Sequence, residues 1–492
     1  MPKGKKYRSM EINAFLNAVK SGLSIIFPLI TYPYAFRVLH AEGIGRVDYA
    51  SSIISYFTMI ASLGISTYAV REGAKVRDNE IKLRELSSQI FSINLITTLF
   101  AYLFLGGFLL LSKSFSNYVG LLLILSLSIG FTTLGIEWIN TIYEDYLYIT
   151  IRSIATHILT LALLFLLVKD ADDYYVYAFL MVLSNAVICV TNWFYCRKYV
   201  KLKLTLQLNL RRHLGPIMTL FANSVATNIY VNADTTMIGI YAGDYYVGVY
   251  SIAVKIYNVV KRMLVAMYSV AISRISYFAG KNDKQNIRKI YTDLLSNLTV
   301  LLIPASVGLI AIAKEVVLLM GGTEYMDAVL TLQILSVSLI GAVFGGAVTY
   351  CLNIPLGREK TNVIATILSA VINIGLNVVL IPAFKQNGAA FTTAISEFFV
   401  FFYCMFSFRD FKDYIDLKKW SKNILQALVG GITIVFVSCC VRKVCINSLM
   451  TMGTIVIISV LLYGVELTLF KNELAVNFIK KIEHKIGKRQ AL

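Results

Sequence analysis

Long apolar stretches recur along the chain, broken by short polar or Gly/Pro punctuation, and their length decides the fold class. Windows such as 86–112, 114–136, 174–196, 294–313 and 424–441 hold no Asp, Glu, Lys or Arg. About 20 such residues are what an α-helix needs to cross a bilayer. The pattern predicts helices over 11–36, 47–69, 88–112, 117–141, 147–168, 174–197, 214–241, 245–273, 292–320, 326–352, 361–384, 388–408, 422–441 and 449–470, about fourteen in all. The expected fold class is all-α, a polytopic membrane protein in which each span satisfies its own backbone hydrogen bonds within lipid.

Composition agrees. The chain is 57% hydrophobic and 15% charged, with a mean hydropathy of +0.69, whereas soluble domains carry about 25% charged residues. A net charge of +18 would suggest nucleic acid in a soluble protein. Here it follows the loops instead: 71–85, 197–212, 281–289 and 409–422 are basic, while 170–173 and 243–246 are acidic. An even number of spans puts both termini on one face, and the basic loops on that face make it the cytoplasmic one. The expected partner is a lipid bilayer, with no nucleic acid. The start, with Lys3, Lys5, Lys6 and Arg8, leads into an apolar stretch without a small-residue cleavage site and reads as part of the first membrane helix. Connections on the opposite face are too short for a catalytic domain, which counts against a membrane polymerase, ligase or glycosyltransferase. Seven cysteines (Cys189, Cys196, Cys351, Cys404, Cys439, Cys440, Cys445) and four histidines (His40, His157, His213, His484) show no metal or triad spacing. No metal, cofactor or enzymatic activity is expected, and the chain has no glycine-rich phosphate loop of the nucleotide-hydrolysing type.

An internal repeat adds organisation. Gly45, Ala50 and Ile53 match Gly248, Ala253 and Ile256 at one offset of 203 residues. Each copy follows a short turn on the outer face, and the helix before each is rich in Asn: Asn13 and Asn17 in one, Asn223, Asn228 and Asn232 in the other. An offset of six helices preserves orientation, so the halves are parallel repeats, as in transporters. The expected domains are an N-lobe (1–198, helices 1 to 6), a basic cytoplasmic linker (199–213), a C-lobe (214–408, helices 7 to 12), a second linker (409–421), and a last helix pair with a basic tail (422–492).

Charges inside such spans are expensive and usually face a wet cavity or a partner. Lys20 falls in the middle of the first helix, ahead of Pro28 and Pro33, which invite a bend. In the eighth helix Lys255 and Arg262 share a face, with Lys261 beside them; Arg46 and Asp48 open the second. If helices 1, 2, 7 and 8 line a cleft, Lys20, Arg46, Lys255, Arg262 and Lys261 converge there with Asn17 and Asn223, a site suited to a pyrophosphate. The competing reading has Lys261 and Arg262 snorkelling to the cytoplasmic face and Arg46 sitting among headgroups. Asp234 either pairs with a cation or binds a coupling H⁺ or Na⁺; Asp48 and Glu397 pose the same choice.

The run Phe27-Pro28-Leu29-Ile30-Thr31, Arg37-Val38-Leu39, Glu42-Gly43-Ile44-Gly45-Arg46, Leu63-Gly64-Ile65 and Tyr68-Ala69-Val70-Arg71-Glu72 resembles the N-terminal signature of Wzx-type oligosaccharide flippases. Gly135-Ile136-Glu137-Trp138, Asn232-Ala233-Asp234, Gly248-Val249-Tyr250 and Gly388-Ala389-Ala390 with Ser396-Glu397 are similar to later parts of that family. The resemblance covers essentially the whole chain and implies a place in the multidrug/oligosaccharidyl-lipid/polysaccharide (MOP) exporter superfamily, with a two-lobe architecture like that of MATE transporters. It also implies a function: moving undecaprenyl-pyrophosphate-linked repeat units outward by alternating access for capsule, O-antigen or exopolysaccharide. Polysaccharide polymerase and chain-length regulator proteins are then expected partners. A cation-coupled multidrug exporter of the same superfamily is the alternative.

Overall fold

The computed structural model describes residues 10–444 and 447–476. The basic N-terminal residues, Cys445, His484 and the C-terminal tail lie outside the described residues, as do the side chains of Asn13, Asn17 and Lys20. Contacts divide the chain into two compact units, Met1–Gly248 and Val249–Leu492.

The first unit holds α1 (Met10–Ser62), α2 (Ile65–Val76), α3 (Glu80–Leu111), α4 (Val119–Leu134), α5 (Glu137–Ile142), α6 (Tyr146–Leu167), α7 (Tyr174–Cys196), α8 (Leu210–Tyr241) and the start of α9 (Asp244–Val265). The second holds the rest of α9, then α10 (Tyr268–Gly280), α11 (Lys284–Ala311), α12 (Ala313–Gly321), α13 (Ala328–Val348), α14 (Glu359–Phe406), α15 (Leu417–Val444) and α16 (Ser448–Leu469). Among the described residues eleven segments are long and apolar enough to cross a membrane. Two of these are double. The chain turns within α1 at His40 (φ 58°) and within α14 at Lys385 (φ 53°), single residues in the left-handed region where a loop was expected. Counting each half, and adding α8, brings the helices to fourteen.

Helix α8 fails the apolarity test because it carries Asn223, Asn228, Asn232 and Asp234. Its 32 residues nonetheless span about 48 Å at 1.5 Å per residue. It packs on α1 and α2 and falls in the first unit, whereas the expected boundaries assign 214–241 to the second lobe.

Several expected spans are broken near one end. Leu63 (φ 44°) and Gly64 (φ 69°) separate α1 from α2, and Ile136 (φ 39°) separates α4 from α5. The short helices so released fold together: Tyr68, Ala69, Trp138, Ile139, Ile142 and Ile217 form one buried core with Leu83 and Ile90 of α3. Within that core the His213 ring lies 2.7 Å from the Tyr68 hydroxyl and 2.9 Å from Gln89 Oε1. Gln89 Oε1 can only accept, so Nε2 of His213 holds the proton and Tyr68 donates to Nδ1.

Elsewhere large apolar side chains face outward. Leu99, Phe100, Leu103 and Phe104 form a stripe on α3, each more than half exposed, a surface that only lipid covers favourably. Cys189, Cys196, Cys351 and Cys404 are buried, and Cys439 and Cys440 are exposed on α15.

Candidate functional site

Within the first unit, α1, α4, α7 and α8 border a cavity of about 410 Å³. Its α1 wall is built by a stripe, Ser51, Ser55, Thr58 and Ser62, whose spacing puts all four on one helical face. Helix α4 contributes Ser128 and Thr132, α7 contributes Asn185, and α8 contributes Ser224 and Asn228; Ile54, Met59, Leu125, Met181 and Val182 fill the space between. None of these side chains is ionisable.

Except for Ser51, the hydroxyls return their protons to their own helices. Ser55 donates to the Ser52 carbonyl (2.6 Å), Thr58 to Ile54 (3.0 Å) and Ser62 to Met59 (3.2 Å). Ser128 donates to Leu125 (2.6 Å), Thr132 to Ser128 (2.7 Å) and Ser224 to Leu220 (3.1 Å). This back-bonding lets Ser and Thr sit mid-helix without stranding a donor.

Beside the cavity α8 meets the second half of α1 inside this unit, where Thr236 donates to Ser52 (2.9 Å) and Tyr56 reaches Thr236 (3.1 Å). The contribution of α4 and α7 was not foreseen. Hydroxyl stripes at helical spacing on 125–132 and on 51–62 were the available signal. Asn223 is exposed and does not line the cavity.

Arg46 is placed elsewhere, at the turn between the two halves of α1. Its guanidinium holds Glu42 at 2.6 Å and Asp244 at 3.4 Å, and donates to the Tyr174 hydroxyl at 3.3 Å. Tyr118 donates to the other oxygen of Asp244 at 2.6 Å. Arg46 is thus paired with two carboxylates within its own unit. Asp48 is half-buried beside it, and Asp234 is buried in α8 at 6% exposure.

A buried cation that sequence reasoning did not single out is Arg152 of α6. Its side chain is 4% exposed, pairs with Glu137 at 3.2 Å and lies over the Tyr148 ring. Nearby, outside the spans, Asp145 accepts hydrogen bonds from Tyr195 (2.7 Å) and Tyr199 (2.5 Å). Burial pushes its carboxyl up, but those two hydroxyls and Lys198 outweigh burial and hold it below its usual range.

In the second unit Lys261 and Glu397 form an ion pair at 2.8 Å, with the Tyr257 hydroxyl donating to the same carboxylate oxygen at 3.4 Å. Lys255 is half-buried and Arg262 exposed on the same helix. Asn373, Asn377 and Thr392 knit the two halves of α14 into a fully buried knot. At one end of α11 and α15 a cavity of about 650 Å³ is lined by Lys418, Lys422, Lys471, Asn423 and Gln426. There Lys419 bridges Asp293 (2.9 Å) and Glu473 (2.6 Å). Among the described residues no three His, Cys, Asp or Glu side chains are grouped to hold a metal.

Known proteins match this chain along most of its length. It is 23% identical over 411 residues to a putative O-antigen transporter of Escherichia coli, covering 79% of this chain and 94% of that one. A probable low-salt glycan biosynthesis flippase of Haloferax volcanii is 27% identical over 181 residues, 35% of this chain and 37% of its own. Among solved structures, lipid II flippase MurJ in an inward closed conformation superimposes with a TM-score of 0.78 at 17% identity, covering 94% of this chain and 99% of that one. An inward-facing multidrug resistance MATE transporter of the MOP superfamily gives 0.58 at 15% identity, covering 80% and 98%. The fold is thus that of MurJ and the MATE transporters. The lipid II flippase MurJ profile matches residues 246–465, and the profile described as polysaccharide biosynthesis protein matches residues 12–279. Because that second match takes in more than half of the chain, and as its Wzx-type motifs led one to expect, the protein belongs to the polysaccharide biosynthesis protein family.

Proposed function

We propose that the protein flips a lipid-linked oligosaccharide from the cytoplasmic to the outer leaflet of a bacterial cytoplasmic membrane, by alternating access, with undecaprenyl pyrophosphate as carrier. The observation that carries this reading is the polar cavity bordered by α1, α4, α7 and α8 in a chain of this family. The side-chain amides of Asn185 and Asn228 are costly in lipid unless they face water, a partner or a ligand. With the hydroxyls of α1 and α4 beside them they fit a passage for sugars. The names borne by the relatives, O-antigen transporter and glycan flippase, support the same cargo class.

Nothing in this activity makes or breaks a bond of the cargo, so it is transport and not catalysis. The carrier's pyrophosphate needs cations, and the proposed candidates are Lys20 and Arg46 in the first unit and, separately, Lys255, Lys261 and Arg262 in the second. Polymerase and chain-length regulator proteins are the proposed recipients downstream. Because the first-unit cavity carries no charged lining, charge alone does not disfavour a drug exporter, and the test below is built to separate the two. Deleting the gene is expected to abolish surface polymer and to trap lipid-linked repeat units in the inner leaflet, with drug susceptibility unchanged. Normal polymer together with altered drug susceptibility would overturn the reading in favour of an exporter.

Asp234 is the proposed coupling residue, because it is buried on the helix that also presents Ser224 and Asn228 to the cavity. Asp234→Asn keeps the shape and removes the titratable charge. The variant is expected to cut the flipping rate at least about tenfold, a rise of about 1.4 kcal/mol in the barrier, and to abolish its response to an imposed H⁺ or Na⁺ gradient. An unaltered gradient response in vesicles would dismiss Asp234 from coupling.

A further inference from the structure

The cavity of the first unit is specific in a way its polarity alone does not convey. The hydroxyls of Thr58, Ser128 and Thr132 spend their protons on backbone carbonyls of their own helices, and that of Ser55 lies 2.6 Å from the Ser52 carbonyl and 3.4 Å from Asn228 Oδ1. What they turn to the cavity is oxygen lone pairs. Such a wall accepts hydrogen bonds from a ligand rich in O–H and N–H groups. It offers little to a carboxylate or phosphate, whose oxygens only accept and require donors or cations. Asn185 and Asn228 supply amide donors for ring or acetamido oxygens, and the buried Ser51 hydroxyl has no partner among the described residues. Met59 and Met181 offer apolar surface to the C–H faces of sugar rings. The volume of about 410 Å³ lies within the range of about 300–1,000 Å³ typical of small-molecule sites.

We propose that this cavity is the subsite for uncharged sugar residues of the cargo, selecting neutral and N-acetylated sugars over uronic acids. The proposal rests on the flippase reading for the source of the sugar. It assigns to Thr58, Asn185 and Asn228 the recognition of hydroxyl and acetamido groups, distinct from any contact with the carrier's phosphates.

The test uses purified full-length protein and two carrier-free tetrasaccharides of equal length, one built of hexose and N-acetylhexosamine, the other with two uronic acids. Saturable binding of the neutral chain is expected by titration and saturation-transfer NMR, with the acidic chain at least about tenfold weaker. Asn185→Ala, Asn228→Ala and the near-isosteric Thr58→Val should each weaken neutral binding about tenfold, the loss of one good hydrogen bond. Thr58→Val guards against misfolding, and its melting temperature should match the wild type. Equal affinity for the two chains, wild-type binding by all three variants, or saturation only by an organic cation such as tetraphenylphosphonium would overturn the subsite. A parallel assay follows translocation of the lipid-linked forms in vesicles. Binding that behaves as expected without any translocation would sink the flippase reading and leave the subsite standing. Wild-type translocation of both cargoes by the Asn185→Ala/Asn228→Ala double variant would do the reverse.

Discussion

Gly45→Val is expected to abolish surface polymer and to lower the melting temperature of the detergent-solubilised protein, and Gly248→Val is expected to do the same. A Cβ at Gly45 would lie 1.8 Å from the carbonyl oxygen of Asp244, and one at Gly248 would lie 1.9 Å from that of Ala41. The two clashes mirror one another: each repeat glycine presses on the carbonyl four residues before the other. The offending atoms belong to backbone, so no rotamer relieves them. The turn of α1 must instead draw back from the start of α9, separating Arg46 from Asp244 and Asp244 from Tyr118. The cost is about 3 kcal/mol, the upper end for overpacking. Gly43→Ala is the control, since its Cβ would meet the Ala171 carbonyl at an ordinary 3.4 Å. Wild-type polymer and melting temperature in Gly45→Val would show that this backbone contact is dispensable.

Lys261→Met is expected to be the second most damaging change. Removing the ammonium leaves Glu397, only 11% exposed, with the Tyr257 hydroxyl at 3.4 Å. Breaking a buried pair from one side costs about 3 kcal/mol, because the surviving charge keeps its desolvation penalty. Replacing both partners by apolar groups of similar volume, Lys261→Met with Glu397→Leu, is expected to restore the melting temperature to near that of the wild type. Transport by the restored double variant then decides the role of the pair. Full polymer export would make it structural, and loss of export at wild-type stability would return Lys261 to the cargo path. A double variant as unstable as the single one would refute the pairing energetics.

Much of the fold was legible because lipid permits so few solutions. Uncharged windows of bilayer length at 86–112 or 424–441 cannot fold as anything but spanning helices. What escaped was the treatment of their ends. Ile136 and Leu63 are ordinary apolar residues, and the glycines beside them, Gly135 and Gly64, lie inside what reads as a continuous apolar span; in the fold both take left-handed conformations where α2 packs against α5. The reversals at His40 and Lys385 were hidden for the same reason, since a single residue does what a loop was expected to do.

The site divides along similar lines. Intramembrane charges were conspicuous, so Lys261 and Glu397 were both marked from sequence. Their pairing was not, since 136 residues separate them. Arg152 was overlooked because it lies close to a helix start, where a cation reads as solvated; its burial comes from α5 and the tyrosines folding over it. The hydroxyls of the cavity carry no sequence alarm, Ser and Thr being common and cheap in membrane helices once bonded to their own backbone.

Hydropathy and charge by themselves determined an all-helical membrane chain with a repeat at Gly45 and Gly248, because burying about 20 apolar residues per span and keeping charges out of lipid are requirements local to each segment. The tertiary structure alone decided which polar atoms meet: that the repeat glycines pack on each other's turns, that Arg46 is bound by acids, and that serines from three helices share one space. Those meetings depend on helix rotation and close approach, which are set by the sum of many side-chain contacts and leave no periodic trace in any one segment.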